Sequence, residues 1–363
     1  MIDLKNISPL AMYLSSFFAV PLPVAAALIL AILFYWFCLV LPPVLAMQLF
    51  ERKLGAHIQM RIGPNRVSQL GLLQPFADIL KSLFKTNALP LTQERFLYFF
   101  GPFLTLLCVF LALLNVPFTS HWIVTNLDSG LVFIVIMMLA SHLISFWSGY
   151  GIKSQWSVLS VFRMFYLVIT YIVPLAFSIL PVVLISGSIN LVTIVEQQGG
   201  LPWQWLAFHN PGAMLSCIVL FLSLYIWQNR SPFNLAFVQH EIMQGVVAEY
   251  SGLQKTIFSF IEYATFYLSC AFFIVVYLGG GQTPFGLQSF GKAAPLIEWL
   301  YFLLKLFIIV FFSIWLRWSL PRVSINQLIY LSWRVLTPLG LLGTILCLLW
   351  LAMTRGMGIS DFL

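Results

Sequence analysis

A helix that crosses a bilayer needs about 20 mostly apolar residues. Eight runs of that kind fill this chain, near 21–47, 97–117, 130–149, 158–184, 213–229, 252–279, 296–317 and 333–353. They predict an all-α polytopic membrane protein. Only 8% of the 363 residues are charged, where soluble domains average about 25%. No internal repeat or low-complexity tract separates a second domain, so 1–363 reads as a single integral membrane domain. No cleavable leader is evident, and the first apolar run is long enough to be retained as a helix.

The net charge of +7 does not point to nucleic acid, because its placement follows topology. Loops after the first, third, fifth and seventh runs hold thirteen Lys and Arg residues, and the other side holds Lys5, Lys292 and Arg355. That bias puts the basic loops on the cytoplasmic or matrix side, against anionic lipid, and both termini opposite. The five cysteines lie in apolar runs with no CxxC and no histidine cluster, which argues against disulfides and metal or iron–sulfur ligation. GxGxxG, P-loop, zinc-ligand and triad patterns are missing too, so no cofactor is expected on this chain.

Two loops stand apart. Residues 51–85 contain Arg52, Lys53, His57, Arg61, Arg66, Lys81 and Lys85. Within this charged loop (51–95), Leu72, Leu73, Phe76, Ile79, Leu80, Leu83 and Phe84 recur at three- and four-residue steps. An interfacial amphipathic helix with Pro75 in its first turn is expected there. It is either a membrane-surface anchor or part of a site. The second loop, 229–252, carries Arg230, His240, Glu241 and Glu249, and Glu262 follows inside the sixth run. A carboxylate in a membrane helix costs about 2.5–3.5 kcal/mol on insertion scales, so it turns to a partner or a wet cavity. Arg163 and Lys305 raise the same question, with snorkelling one answer for Lys305. His142 reads as a hydrogen-bonded core histidine.

The stretches ERKLGAHIQMRIGPNR (51–66) and GLLQPFADILKSLFK (71–85) resemble the signature of subunit 1 of respiratory complex I. The likeness continues in PFNLAFVQHEIMQGVVAEYSG (232–252), IEY (261–263) and RWSLPRVSINQLIYLSWRVLTPL (317–339). The resemblance implies a membrane subunit of a proton-translocating NADH- or ferredoxin:quinone oxidoreductase, in a bacterial inner membrane or an organellar inner or thylakoid membrane. It implies a quinone chamber using Arg52, Gln59, Arg61, Asp78, Arg163 and Phe233. It further implies a proton path through Glu241, Glu249, Glu262 and His240, and arm docking by Arg66 and Arg230. Quinone is then the substrate. The iron–sulfur clusters, flavin and NADH belong to peripheral-arm partners. Small membrane subunits, antiporter-like subunits and lipid are the other neighbours.

The likeness has gaps. Where the family carries acids or polar groups, this chain has Thr86, Leu167, Ile172, Trp227, Asn229, Asn234, Phe237 and Gln239, and a Gly-Gly-Leu-Arg turn has become Ser160–Arg163. Isoleucine and phenylalanine hold no proton. Either protons run through other residues, with His240, whose ordinary pKa is near ~6.5, replacing a carboxylate, or coupling is weakened and the chain is a non-pumping scaffold. The equivalent subunit of a membrane-bound hydrogenase-type complex is a further alternative.

Overall fold

A computed structural model describes residues 24–87, 93–120, 122–234, 247, 249–284 and 293–355. His240, Glu241, Phe237 and Gln239 lie outside the described residues. Helix α1 (Val24–Phe34) passes through a π-helical turn (Tyr35–Val40) into α2 (Leu41–Ile58), and together they make the first span. The short helix α3 (Gln74–Leu83) follows, then the spans α4 (Arg95–Leu114), α5 (Gly130–Tyr150) and α6 (Gln155–Ser186). Two short helices, α7 (Leu191–Glu196) and α8 (Leu206–His209), precede the spans α9 (Pro211–Trp227), α10 (Gly252–Tyr277) and α11 (Ala294–Ser319). The last span joins α12 (Ile325–Tyr330) through a second π-helical turn (Leu331–Leu336) to α13 (Thr337–Arg355). Seven of these spans have 20 residues or more, and α9 is a shorter apolar helix of 17. The eight apolar runs of the sequence thus all become helices, and four of them, the first, fourth, seventh and eighth, extend at least a turn beyond the run.

Helix ends are set locally. The Ser154 hydroxyl accepts from Ser157 N–H at the start of α6. Asn190 and Asn210 accept from Val192 and Ala213 N–H at the starts of α7 and α9. Each satisfies a backbone donor that has no partner inside its helix. Gly187 closes α6 in the left-handed region, at φ 64°, where a side chain is disfavoured.

Helix α10 is the hub. In its apolar window 78% of residues are buried, against 33% for α11. Phe266, Tyr267, Phe272 and Tyr277 are fully enclosed, whereas Phe307, Ile308 and Phe311 of α11 point outward, as a lipid-facing stripe does. Buried tyrosines find backbone acceptors on other spans: Tyr267 donates to Leu39 O (3.0 Å) and Tyr277 to Ser178 O (2.6 Å). Between α9 and α13 the backbones nearly touch. A Cβ on Gly212 would lie 2.5 Å from Cys347 N and Gly343 O, the small-residue packing common in membranes. Lys305 does not snorkel. It is 3% exposed and donates to Leu278 O (2.7 Å) and Gly280 O (2.9 Å), satisfying carbonyls at the end of α10.

Helix α3 has the amphipathic pattern expected of it, with Pro75 in its first turn. Phe76, Leu80 and Leu83 are open, while Asp78 turns back to Arg52 of α2 and accepts from Gln74 on its own helix.

Candidate functional site

The ends of the first and seventh spans and the loop after α9 converge on one carboxylate. Glu51, in the penultimate turns of α2, is 5% exposed. Its Oε2 accepts from Arg230 (2.6 Å) and its Oε1 pairs with Arg317. The Arg230 guanidinium also lies over the rings of Phe266 (4.0 Å) and Tyr263 (4.9 Å) of α10. A buried ion pair is costly unless its remaining hydrogen-bonding groups are matched, and here aromatic faces and a second arginine supply the matching.

Beside this cluster opens a cavity of about 800 Å³. Its floor is Glu51, Glu262 and Tyr263, and its rim carries Arg52, Arg61, Arg66 and Arg317. A Cβ on Gly55 would fall 2.5 Å from the Trp318 ring, so only glycine lets that indole close the wall. Arg52 is held on the α3 side by Asp78 (2.5 Å), which also accepts from Gln74 (2.9 Å). Arg61 and Arg66 are exposed and have no ion pair among the described residues. Four arginines against two glutamates make the cavity electropositive, a setting for polar, electron-accepting or anionic groups. On the other flank of α2 an apolar groove of about 520 Å³ runs between Phe50, Leu72, Phe76 and Phe307.

The cavity gathers Arg52, Arg61, Arg66 and Glu262, and Asp78 supports it through Arg52. Gln59 is exposed at the end of α2 and does not line it, nor does half-buried Arg163 on α6. Phe233 is buried against Tyr225 (6.0 Å) and takes its place in the loop after α9 rather than on the cavity wall. Arg230, expected on the docking face, is 7% exposed and serves Glu51 instead. Glu249 is half-buried, its carbonyl near the Tyr98 hydroxyl (3.5 Å). Next to it, Tyr250 stacks on Tyr98 (4.6 Å) and bonds Ser148 (2.6 Å). Burial pushes the Tyr250 hydroxyl above its ordinary pKa.

Glu51, Tyr263, Arg317 and Trp318 lie inside the stretches 51–66, 261–263 and 317–339, where the sequence assigned them no role. Among the described residues no group of His, Cys, Asp and Glu is disposed to hold a metal ion.

A polytopic membrane protein with seven long apolar helices and one shorter one among its described residues, and a basic cavity beside them, is a narrow class, and the relatives specify it further. The chain matches the NADH dehydrogenase family over residues 28–348. It is 34% identical over 318 residues to the H-type subunit of NADH-quinone oxidoreductase from Rubrobacter xylanophilus, covering 88% of this chain and 92% of the relative. The corresponding protein of Salinibacter ruber is 32% identical over 323 residues (85% and 92%), and that of Chlorobaculum tepidum 31% over 307 (83% and 86%). The chain therefore belongs to the subunit 1 family of complex I, that is, to the NADH dehydrogenase membrane subunits.

Proposed function

We propose that this chain builds the quinone chamber of a proton-translocating NADH:quinone oxidoreductase and presents the face on which its peripheral arm docks. The observation that carries this reading is the arginine-rimmed cavity of about 800 Å³ with Glu262 in its floor. A quinone headgroup has two carbonyl oxygens that gain negative charge on reduction, and fixed cationic donors favour that charge. Arg61 and Arg52 supply such donors, and Tyr263 adds an aromatic wall. The apolar groove along α2, α3 and α11 suits an isoprenoid tail. Exposed Arg66 suits contact with an arm that holds the iron–sulfur clusters, flavin and NADH site. The two electrons come from that arm. The two protons of quinol formation are drawn through Glu262 and Glu249, with His240 and Glu241 as further members of the path. Neighbouring small and antiporter-like membrane subunits take up the coupling. The relatives, named as NADH-quinone oxidoreductase subunits, favour this reading over the hydrogenase-type one.

Photoreactive quinone applied to the purified complex tests it. Adducts are expected in the peptides containing residues 51–66 and 262–263, and excess native quinone should suppress them. Labelling confined to other peptides or other subunits would refute the chamber.

A further inference from the structure

Glu262 lines two spaces: the open cavity and a small buried pocket of about 40 Å³ on its inner side. A site of that size and polarity accommodates a bound water. Its wall carries Thr105 of α4, His142 and Ser145 of α5, and Gln228 and Asn229 at the end of α9. All five are at least nine-tenths buried.

The hydrogen bonding of this wall is lopsided. Thr105 donates to Gly101 O (2.9 Å) and Ser145 to Ser141 O (2.9 Å), so their hydroxyl protons are committed to their own helices. Gln228 gives its amide N–H to Ser269 (2.5 Å). Asn229 Nδ2 lies 3.0 Å from His142 Nε2, and His142 Nδ1 faces Met138 O at 3.5 Å. The tautomer that fits carries its proton on Nδ1 and accepts at Nε2. Two acceptors of the wall, Asn229 Oδ1 and Gln228 Oε1, have no partner among the described residues. Buried polar atoms are normally paired, and a water or a proton held in the pocket would partner them.

Asn229 can serve His142 in either state. With neutral imidazole its NH2 donates to Nε2. With Nε2 protonated, a half-turn of the amide brings the unpartnered Oδ1 to accept. Its backbone sits at φ 53°, a left-handed conformation that asparagine tolerates. The other ionisable groups facing His142 are Glu262 across the pocket and Tyr171, whose ring lies 5.6 Å away on α6. Arg230, next in sequence to Asn229, is turned to Glu51.

We propose that His142 receives the proton that Glu262 passes inward from the cavity, through a water held in this pocket. The Glu262 O–H bond breaks and the His142 Nε2–H bond forms. The water relays the proton without net change, and no electron moves. Glu262 is left a carboxylate and the imidazole a cation, stabilised by the acceptors around it. His142 thereby moves from a packing residue to a proton-holding group.

This inference rests on the quinone reading, and one experiment separates the two. The whole complex is reconstituted in proteoliposomes, and protons moved per quinone reduced are measured from about pH 5 to 8, the span in which an imidazole ordinarily changes charge. His142→Gln and Asn229→Gly should each lower that ratio at least tenfold in assembled complex. The His142→Gln profile should also lose a titrating limb, which a structural role alone would not remove. Where His142→Gln fails to assemble, Asn229→Gly decides, because glycine keeps the left-handed backbone. A parent ratio in either assembled variant overturns the inference and leaves the quinone reading standing. A parent complex that reduces quinone without moving protons does the same. A parent that reduces no quinone overturns both.

Discussion

The two ends of the helix bundle both bury charge, and they bury it differently. At the end away from the basic loops, Glu298 is 4% exposed and accepts from Ser120 N (2.7 Å) and Ser120 Oγ (2.9 Å). Lys305, two turns on along α11, donates to two carbonyls and rests between the rings of Tyr301 (4.5 Å) and Trp205 (4.9 Å). Each charge is enclosed and provided with partners from neighbouring loops. At the cavity end, Glu51 answers two arginines, Arg61 and Arg66 answer none among the described residues, and Glu262 faces open space on two sides. Closed partnerships hold the bundle together. Surplus charge turned to a cavity is what a ligand or a proton can use.

The comparison is most exposed at Glu51. Glu51→Ala leaves Arg230 buried with no carboxylate, and removing one member of a buried pair costs about 3–5 kcal/mol. We expect the variant chain to be lost from the assembled complex, read on native gels. Normal assembly would mean that the two arginines are neutralised elsewhere. Lys305→Met should cost less, about 1–3 kcal/mol, the usual penalty for stranding buried polar groups. It should lower the unfolding temperature of the complex while quinone reduction stays within about twofold, since a structural charge costs stability and not turnover. A large loss of turnover at unchanged stability would erase the distinction between the ends. The smallest effect belongs to Asp78→Asn. The Arg52–Asp78 pair is about a third exposed on both sides, and such pairs contribute about 0–1 kcal/mol and weaken with salt. Thermal unfolding in low and high salt should separate parent and variant only in the former.

Much of the architecture was legible in the sequence, because the bilayer imposes a length on each span. The runs 97–117 and 252–279 became α4 and α10, and the stripe from Leu72 to Phe84 became α3. The basic bias marked out loops that do meet, as the Glu51 contacts with Arg230 and Arg317 establish for three of the charged segments. The site was legible only in part. Glu262 announces itself as a charge in apolar company, and Arg61 as one of the basic residues gathered in 51–85. Nothing in the order of residues says that Arg230 points inward, that Phe233 packs on Tyr225, or that Gly55 exists to admit Trp318. Those facts depend on which spans are neighbours, and a uniformly apolar helix carries little periodicity to reveal its inner face. His142 was legible as a buried, bonded histidine. Its partner Asn229, 87 positions away along the chain, was not.

Quinone kinetics of purified, fully assembled complex carrying Arg61→Ala test the central claim most directly. Arg61 pairs with no acid among the described residues and lines the cavity, so its loss should leave the bundle intact and weaken the proposed headgroup site. We expect the KM for quinone to rise about tenfold, equivalent to about 1.4 kcal/mol of binding, with unfolding temperature and arm content as in the parent. Parent values of both KM and kcat in assembled Arg61→Ala complex would contradict the assignment of this cavity to quinone.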